Sequence, residues 1–185
     1  MKEIEVKAKV KNLDLLLKRL EELGAKLSDP VSQNDIVYAF GDWESNQSTN
    51  DRNILRIRQE DGRALLTLKR PGINELDSRE EESEVSNPNA VEAMLLLMNY
   101  SEVVRVSKVR RTANHEGMQI CLDEVRGLGT FVEVDRMVDE GNTEAIQEEL
   151  FQFLEQSGIS RDQRVLQGYD SLVKLKNETI AKAVR

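Results

Sequence analysis

The amino-terminal stretch EIEVKAK alternates strictly between charged and apolar residues, and this pattern recurs along the chain. A period of two predicts a β-strand, because successive side chains in a strand point to opposite faces of the sheet. The apolar face of this first predicted strand carries Ile4, Val6 and Ala8. Its other face is entirely charged, and in an antiparallel sheet such a face ordinarily meets water. The alternation therefore raises the question of whether the charged face points outwards or inwards.

Six further segments pair an apolar face with a polar face that is mostly charged. They are LRIR (55–58), LTLK (66–69), EEESEV (80–85), VSKVRR (106–111), ICLD (120–123) and FVEVD (131–135). Together with the first strand, their polar faces carry the acids Glu3, Glu5, Glu82, Glu84, Asp123, Glu133 and Asp135, and the bases Lys7, Lys9, Arg56, Arg58, Lys69, Lys108 and Arg110. The neutral polar residues that a solvated sheet usually mixes among its charges are scarce there.

Leucine-rich segments with helical spacing separate these strands. The first is predicted over NLDLLLKRLEELG (12–24), the second starts at Asn87-Pro88, the third is capped by Thr143, and a last helix spans 160–183. Residues 41–53 are predicted to form a long polar loop, where Tyr38 and Trp43 either cover a nucleobase or pin the loop. Antiparallel hairpins with helices predict an α+β fold.

The predicted helices indicate the direction in which the charged faces point. Their apolar stripes must cover the apolar side of the sheet, so the helices lie outside. If the sheet closes into a barrel, the charged face becomes its lumen, and so many ions require a hydrated tunnel rather than a dry core. Carboxylates bind hard divalent cations, and Arg and Lys bind phosphate oxygens. Acidic and basic side chains on the same face therefore indicate a metal–polyphosphate ligand.

Composition restricts the alternatives. Of 185 residues, 32% are charged, and the net charge of −8 argues against nucleic-acid or anionic-membrane binding. The single cysteine, Cys121, excludes an internal disulfide and a cysteine zinc site. We expect a cytoplasmic protein, since no apolar run approaches the ~20 residues of a membrane span. We also expect one domain over 1–185, with a core to about 175 and a helical tail.

The ordered motifs resemble those of the CYTH, or triphosphate tunnel metalloenzyme, family. The resemblance starts at Glu3-x-Glu5-x-Lys7 and continues through LRIR, TLK, SREEESE, KVRR, LDEVRGLGTFVEVD (122–135) and GYDSL (168–172). It is strongest to the class IV adenylate cyclase branch. Asp135 departs from the pattern, because Glu is usual at this position. The family fold is an eight-stranded, closed antiparallel β-barrel that forms a tunnel, with helices packed outside.

This resemblance implies a metal-dependent enzyme acting on a triphosphate such as ATP, tripolyphosphate or thiamine triphosphate. The seven bases would bind the phosphates, the seven acids would hold Mg²⁺ or Mn²⁺, and Lys7, Glu5 and Arg110 would be catalytic. Three functions stay open at this point: an adenylate cyclase, a triphosphate hydrolase, and a tunnel that binds without turnover. Glu80, Glu82 and Glu84 share one parity, which means that they lie on the same face of the predicted strand. Parity alone therefore does not decide which of them face inwards. A homodimer is also implied.

Overall fold

The computed structural model describes residues 1–41 and 53–183. The strands are β1 (Lys2–Lys9), β2 (Val31–Phe40), β3 (Ile54–Glu60), β4 (Arg63–Pro71), β5 (Asp77–Glu84), β6 (Tyr100–His115), β7 (Met118–Val125), β8 (Gly129–Val138) and the two-residue β9 (Arg164–Val165). The helices are α1 (Leu13–Glu22), α2 (Pro88–Leu97), α3 (Thr143–Gln156) and α4 (Tyr169–Ala183), with a 3₁₀ turn at Arg161–Gln163.

The first eight strands form a closed antiparallel barrel. Their order is β5-β4-β3-β2-β6-β7-β8-β1, and the circle closes where β1 pairs with β5. The closing contact is short, since it joins only Glu3 with Ser78 and Ile4 with Asp77. Further along β1, the short β9 takes over the same edge by pairing with Lys7 and Ala8. The predicted α+β barrel is confirmed.

The outward face of the barrel is apolar and is covered by α1, α2 and α3. Ile4, Val6 and Val134 are fully buried in one cluster with Leu16 of α1 and Leu150 of α3. A second cluster lies beneath α2. Because side chains alternate along each strand, burying these residues outside forces their charged neighbours into the lumen.

The fourth helix is placed differently from the other three. Tyr169 and Val173 of α4 pack on Val106 and Val37, which share the inward face with the charged residues. One part of the lumen is therefore apolar and is filled by α4. The prediction of one helix over 160–183 was wrong, because a 3₁₀ turn and β9 precede α4 and carry the chain along the edge of β1.

Helix capping also corrects one sequence-based assignment. The side chain of Asn142, rather than Thr143, accepts the hydrogen bond from Ala145 N that begins α3. Thr143 is buried and donates instead to Asp77 Oδ2 at 2.8 Å, where Lys2 Nζ also donates. This contact fastens α3 to the point where β1 meets β5. In the described ranges, no helix is both long and apolar enough to cross a membrane.

Candidate active site

The barrel encloses a cavity of about 380 Å³ that is lined by side chains of both charges. Most of the predicted site residues line it, namely Glu3, Glu5, Lys7, Arg56, Arg58, Lys69, Glu82, Lys108, Arg110, Glu133 and Asp135. Asp123 is fully buried behind this lining, where it pairs with Arg110 and Lys108. The charged faces of the strands therefore converge, as the alternation predicted.

Strand register places opposite charges side by side at the centre of the cavity. Lys7 lies opposite Glu133 in the β1–β8 ladder, and Lys7 Nζ is 3.1 Å from Oε1 of both Glu133 and Glu5. Lys7 Nζ also donates to the Gln167 carbonyl oxygen at 3.1 Å. Burial opposes the charge on Lys7, but the two carboxylates outweigh it and raise its pKa. Lys7 is therefore an ammonium ion, suited to binding phosphate rather than accepting a proton.

Arg110 of β6 contacts acidic residues on two other strands, Asp123 of β7 and Glu133 of β8. Its Nε donates to Asp123 Oδ1 at 2.7 Å, and its Nη2 also bonds Glu133. Lys108 Nζ is 3.4 Å from Asp123 Oδ2. Burial and the neighbouring Arg110 charge lower the pKa of Lys108 to about 8. This part of the wall therefore holds two cations close together, an arrangement that a polyanionic ligand would stabilise.

Arg58 is held by an acid that the sequence analysis did not include. Its Nε and Nη2 each donate to Asp35, both at 2.8 Å, and both side chains are buried. Burial opposes ionisation of Asp35, but the hydrogen bonds from Arg58 and the nearby positive charges outweigh it and lower its pKa to about 2. Asp35 shares its strand face with Val37, so the alternation would have identified it had the segment 35–40 been included.

On β5, the structure resolves the choice that parity left open. Glu80 lies deepest, with Lys69 Nζ at 2.7 Å and Arg56 Nη2 at 3.8 Å. Glu82 lies nearer the surface, where it accepts from Thr67 Oγ1 at 2.7 Å. Glu84 is exposed and does not line the cavity. Glu80 therefore belongs to the acidic set, from which it had been left out.

Lys9 is the other predicted residue that lies away from the cavity. It is exposed at the end of β1, with Nζ 6.0 Å from the centre of the Phe131 ring. Lys9 and Glu84 both have the inward parity, but each lies near the end of its strand, past the enclosed part of the lumen. Alternation predicts the face of a residue, but not how far along the strand the tunnel extends.

The carboxyl groups at one side of the cavity are only partly neutralised by its bases. Burial, assisted by Glu80, raises the pKa of Glu3 to about 8 even though Lys69 opposes this. Burial together with Glu5 and Glu133 raises the pKa of Asp135 to about 7. The pKa of Glu5 is also raised, by burial and by Glu133. Glu5 Oε1 is buried, with the Lys7 ammonium group 3.1 Å away.

Buried acids with raised pKa values fit a divalent cation chemically, because a bound cation favours their ionised form. Their present arrangement is not closed around a metal. Among the described residues, no three acidic, histidine or cysteine side chains are placed so that they could hold one together. Binding would require the Glu133 carboxylate to exchange the Lys7 ammonium and Arg110 guanidinium groups for the ion.

The start of α4 is a further part of the site that the sequence analysis missed. Gly168, Tyr169, Asp170 and Ser171 line the cavity, and the Gly168 amide donates to Glu75 Oε2 at 2.8 Å. They belong to the GYDSL motif, which had supported the resemblance without a structural role. Apolar residues on the inward parity, such as Val106 and Phe131, were the signal that something must cover one part of the lumen.

Of the two aromatic residues near the predicted long loop, Tyr38 does not reach the cavity. It is fully buried beneath α2, where its hydroxyl donates to Glu92 Oε1 at 2.9 Å. It therefore packs the outside of the barrel and does not cover a nucleobase there. Trp43 and the rest of the loop from 42 to 52 lie outside the described residues.

Comparison with known proteins agrees with this geometry. The CYTH domain model matches residues 1–169. "Putative adenylate cyclase MJ0240" of Methanocaldococcus jannaschii is 28% identical over 172 residues, which cover 91% of this chain and 97% of that protein. The PH1819 protein of Pyrococcus horikoshii superposes with a TM-score of 0.78 at 26% identity, covering 94% of this chain and 99% of its own.

A more distant structural relative is described with a dominant triphosphatase activity rather than a dominant cyclase activity. HpAC1 from Hippeastrum, described as a "putative adenylyl cyclase" that reveals a dominant triphosphatase activity, has a TM-score of 0.58 and 21% identity over 90% of each chain. At that identity the likeness concerns the fold alone. The family match covers most of the chain, and the closed barrel has the ionic lumen of a triphosphate tunnel. The chain belongs to the CYTH domain family.

Proposed function

We propose that the protein is a metal-dependent enzyme that acts on a triphosphate held in the cavity, with ATP as substrate and cyclic AMP and pyrophosphate as products. The observation that carries this proposal is the paired lining, in which each base of the cavity wall lies against an acid. The pairs of Lys7 with Glu133 and of Arg58 with Asp35 are buried, and the pair of Lys69 with Glu80 is half-buried.

The pairing suits a ligand that itself carries both charges. A bare anion would need bases alone, because buried carboxylates would repel it. A metal–triphosphate complex presents phosphate oxygens to Lys and Arg and a cation to Asp and Glu. On binding, each internal ion pair could exchange its partner for an oppositely charged part of the ligand, so no charge would be left buried and unpaired.

The proposed roles follow from the positions of the side chains. Arg58, Lys69, Lys108 and Arg110, with Lys7 and Arg56, would neutralise the phosphates from separate strands and hold the chain of phosphorus atoms in one orientation. Glu133 and Asp135, with Glu3 and Glu80, would hold Mg²⁺ or Mn²⁺, and Glu5 would take part in proton transfer instead. When bound, the ion would polarise the phosphoryl group and offset charge that develops on the leaving group.

For the cyclase reaction, the ribose 3′ oxygen attacks the α-phosphorus. A bond forms between them, the bond from the α-phosphorus to the α–β bridging oxygen breaks, and pyrophosphate leaves. Glu5 is the proposed acceptor of the 3′ proton, since its raised pKa makes its carboxylate a stronger base. Arg110 and Lys7 would stabilise the charge that passes to the leaving group.

Hydrolysis of tripolyphosphate or thiamine triphosphate is the second candidate, favoured by the activity named for HpAC1. The same lining would serve it, with water attacking the terminal phosphorus. The cyclase is preferred because MJ0240, which matches over 97% of its own length, carries the name "putative adenylate cyclase". A tunnel that binds without turnover has less support, because it would have little use for so many carboxylates.

One assay distinguishes the three candidate functions. Purified protein is incubated with ATP, tripolyphosphate or thiamine triphosphate, each with Mg²⁺ or Mn²⁺, and the products are resolved by chromatography. Cyclic AMP with pyrophosphate supports the cyclase, and orthophosphate supports the hydrolase. Tight binding of all three compounds without any product would contradict an enzymatic function. An Arg58→Ala variant, which should be about 10- to 100-fold slower, controls for contaminating activity.

A further inference from the structure

The hydroxyl group of Tyr169 is a buried polar group in the cavity wall that the proposed roles leave unexplained. Tyr169 is the first residue of α4, lines the cavity and is only 8% exposed. Its hydroxyl oxygen is buried and has no hydrogen-bond partner within the described part of the chain. Buried hydroxyl groups are normally paired, because leaving one unpaired forfeits its hydration without replacement.

Packing explains the ring of Tyr169 but not its hydroxyl. The ring meets Phe131 edge-on at a centroid distance of 5.4 Å, in a small apolar cluster with Val106 and Val125. A phenylalanine would make the same contacts without the cost of an unpaired polar atom. The hydroxyl therefore needs a partner that arrives from outside the protein.

The surroundings of the ring indicate which chemistry that partner has. Lys7 Nζ lies 4.2 Å from the ring centroid and Lys108 Nζ lies 5.0 Å from it. Both ammonium groups belong to the basic lining, so an anion that contacts them also comes close to Tyr169. Burial raises the pKa of Tyr169 well above its ordinary value, so the hydroxyl keeps its proton and can donate. A phosphoryl oxygen is an acceptor that satisfies all three groups.

We propose that Tyr169 Oη donates a hydrogen bond to a phosphoryl oxygen of the bound triphosphate, which makes the first turn of α4 part of the binding site. This inference rests on the proposed function, because it takes the triphosphate to be the ligand. It gives the GYDSL segment a role in recognition.

The test compares two tyrosine-to-phenylalanine variants of the full chain. Tyr169→Phe removes the unpaired hydroxyl, and Tyr38→Phe removes a buried hydroxyl that already donates to Glu92. Binding of inorganic tripolyphosphate is measured by isothermal titration calorimetry with and without Mn²⁺. Unfolding of each ligand-free variant is followed by its melting temperature.

The two variants should give opposite results. Tyr169→Phe should bind tripolyphosphate about 10-fold more weakly, because a hydrogen bond to a charged group is lost, while its melting temperature stays the same or rises. Tyr38→Phe should melt at a lower temperature and bind normally.

Unchanged affinity in Tyr169→Phe would overturn the assignment. So would a lower melting temperature in this variant, because it would mean that the hydroxyl has a partner inside the folded protein. If the unaltered protein bound neither tripolyphosphate nor ATP, the proposed function and this assignment would fail together.

Discussion

Replacing Asp35 by Asn should destabilise the fold by an amount that can be worked from its ion pair. Asn has nearly the shape of a protonated Asp, so the substitution removes the charge that the Arg58 guanidinium contacts at 2.8 Å on two sides. The pKa of Asp35 falls from an ordinary 3.8 to about 2 in the folded protein. This difference corresponds to about 2 kcal/mol of folding free energy at neutral pH.

The pH dependence follows from the direction of this change. Because folding lowers the pKa, the stabilisation is complete above about pH 5 and is lost as the pH falls through about 2. The difference between the two proteins in free energy of unfolding should therefore be about 2 kcal/mol at pH 7 and about half of that at pH 3. It is measured by urea unfolding at both pH values, with Asp29→Asn, which changes an exposed acid, as the control. A difference that is absent at pH 7, or that grows as the pH falls, would refute the reasoning.

Three further predictions concern residues that line the cavity, and two of them include a control residue outside it. Lys7→Met should weaken tripolyphosphate binding by at least about 10-fold in calorimetry, whereas the exposed Lys9→Met should change it less than about twofold. Glu133→Gln should raise the Mn²⁺ concentration needed for half-maximal turnover, and Glu84→Gln should leave that concentration unchanged; equal effects would contradict the metal assignment. Arg58→Ala should lower kcat/KM by about 10- to 100-fold in initial-rate assays, and an unchanged value would remove Arg58 from the site.

The sequence predicts most of the lining because alternation and burial are coupled. Once Val6 and Val134 are buried outside, Lys7 and Glu133 must point inwards, and antiparallel pairing then places them side by side. The wrong assignments of Glu84, Lys9 and Glu80 have a common cause, which is that alternation does not show where along a strand the cavity ends. Glu80, Glu82 and Glu84 share one parity, yet only their position along β5 decides which of them is enclosed.

Other features depend on contacts between distant parts of the chain, which no local pattern contains. The pair between Arg58 and Asp35 joins residues 23 apart, and the bond from Lys7 to the Gln167 carbonyl joins residues 160 apart. The entry of α4 into the lumen is of the same kind. Its apolar residues predict that the helix is covered by something, but an apolar stripe packs equally well on the inside or the outside of a sheet.

The amino-acid sequence by itself determined β1 and β3 to β8, the two faces of each of these strands and the signs of most of the charges that line the barrel. These follow from a period-two pattern that any sheet must obey, since a slip of one residue would expose the whole apolar face. Tertiary structure alone decided how far the cavity extends, which acid holds each base, and that Tyr169 forms part of its wall. Those outcomes depend on where the barrel closes and on how α4 fills it, and closure is a property of all the strands together.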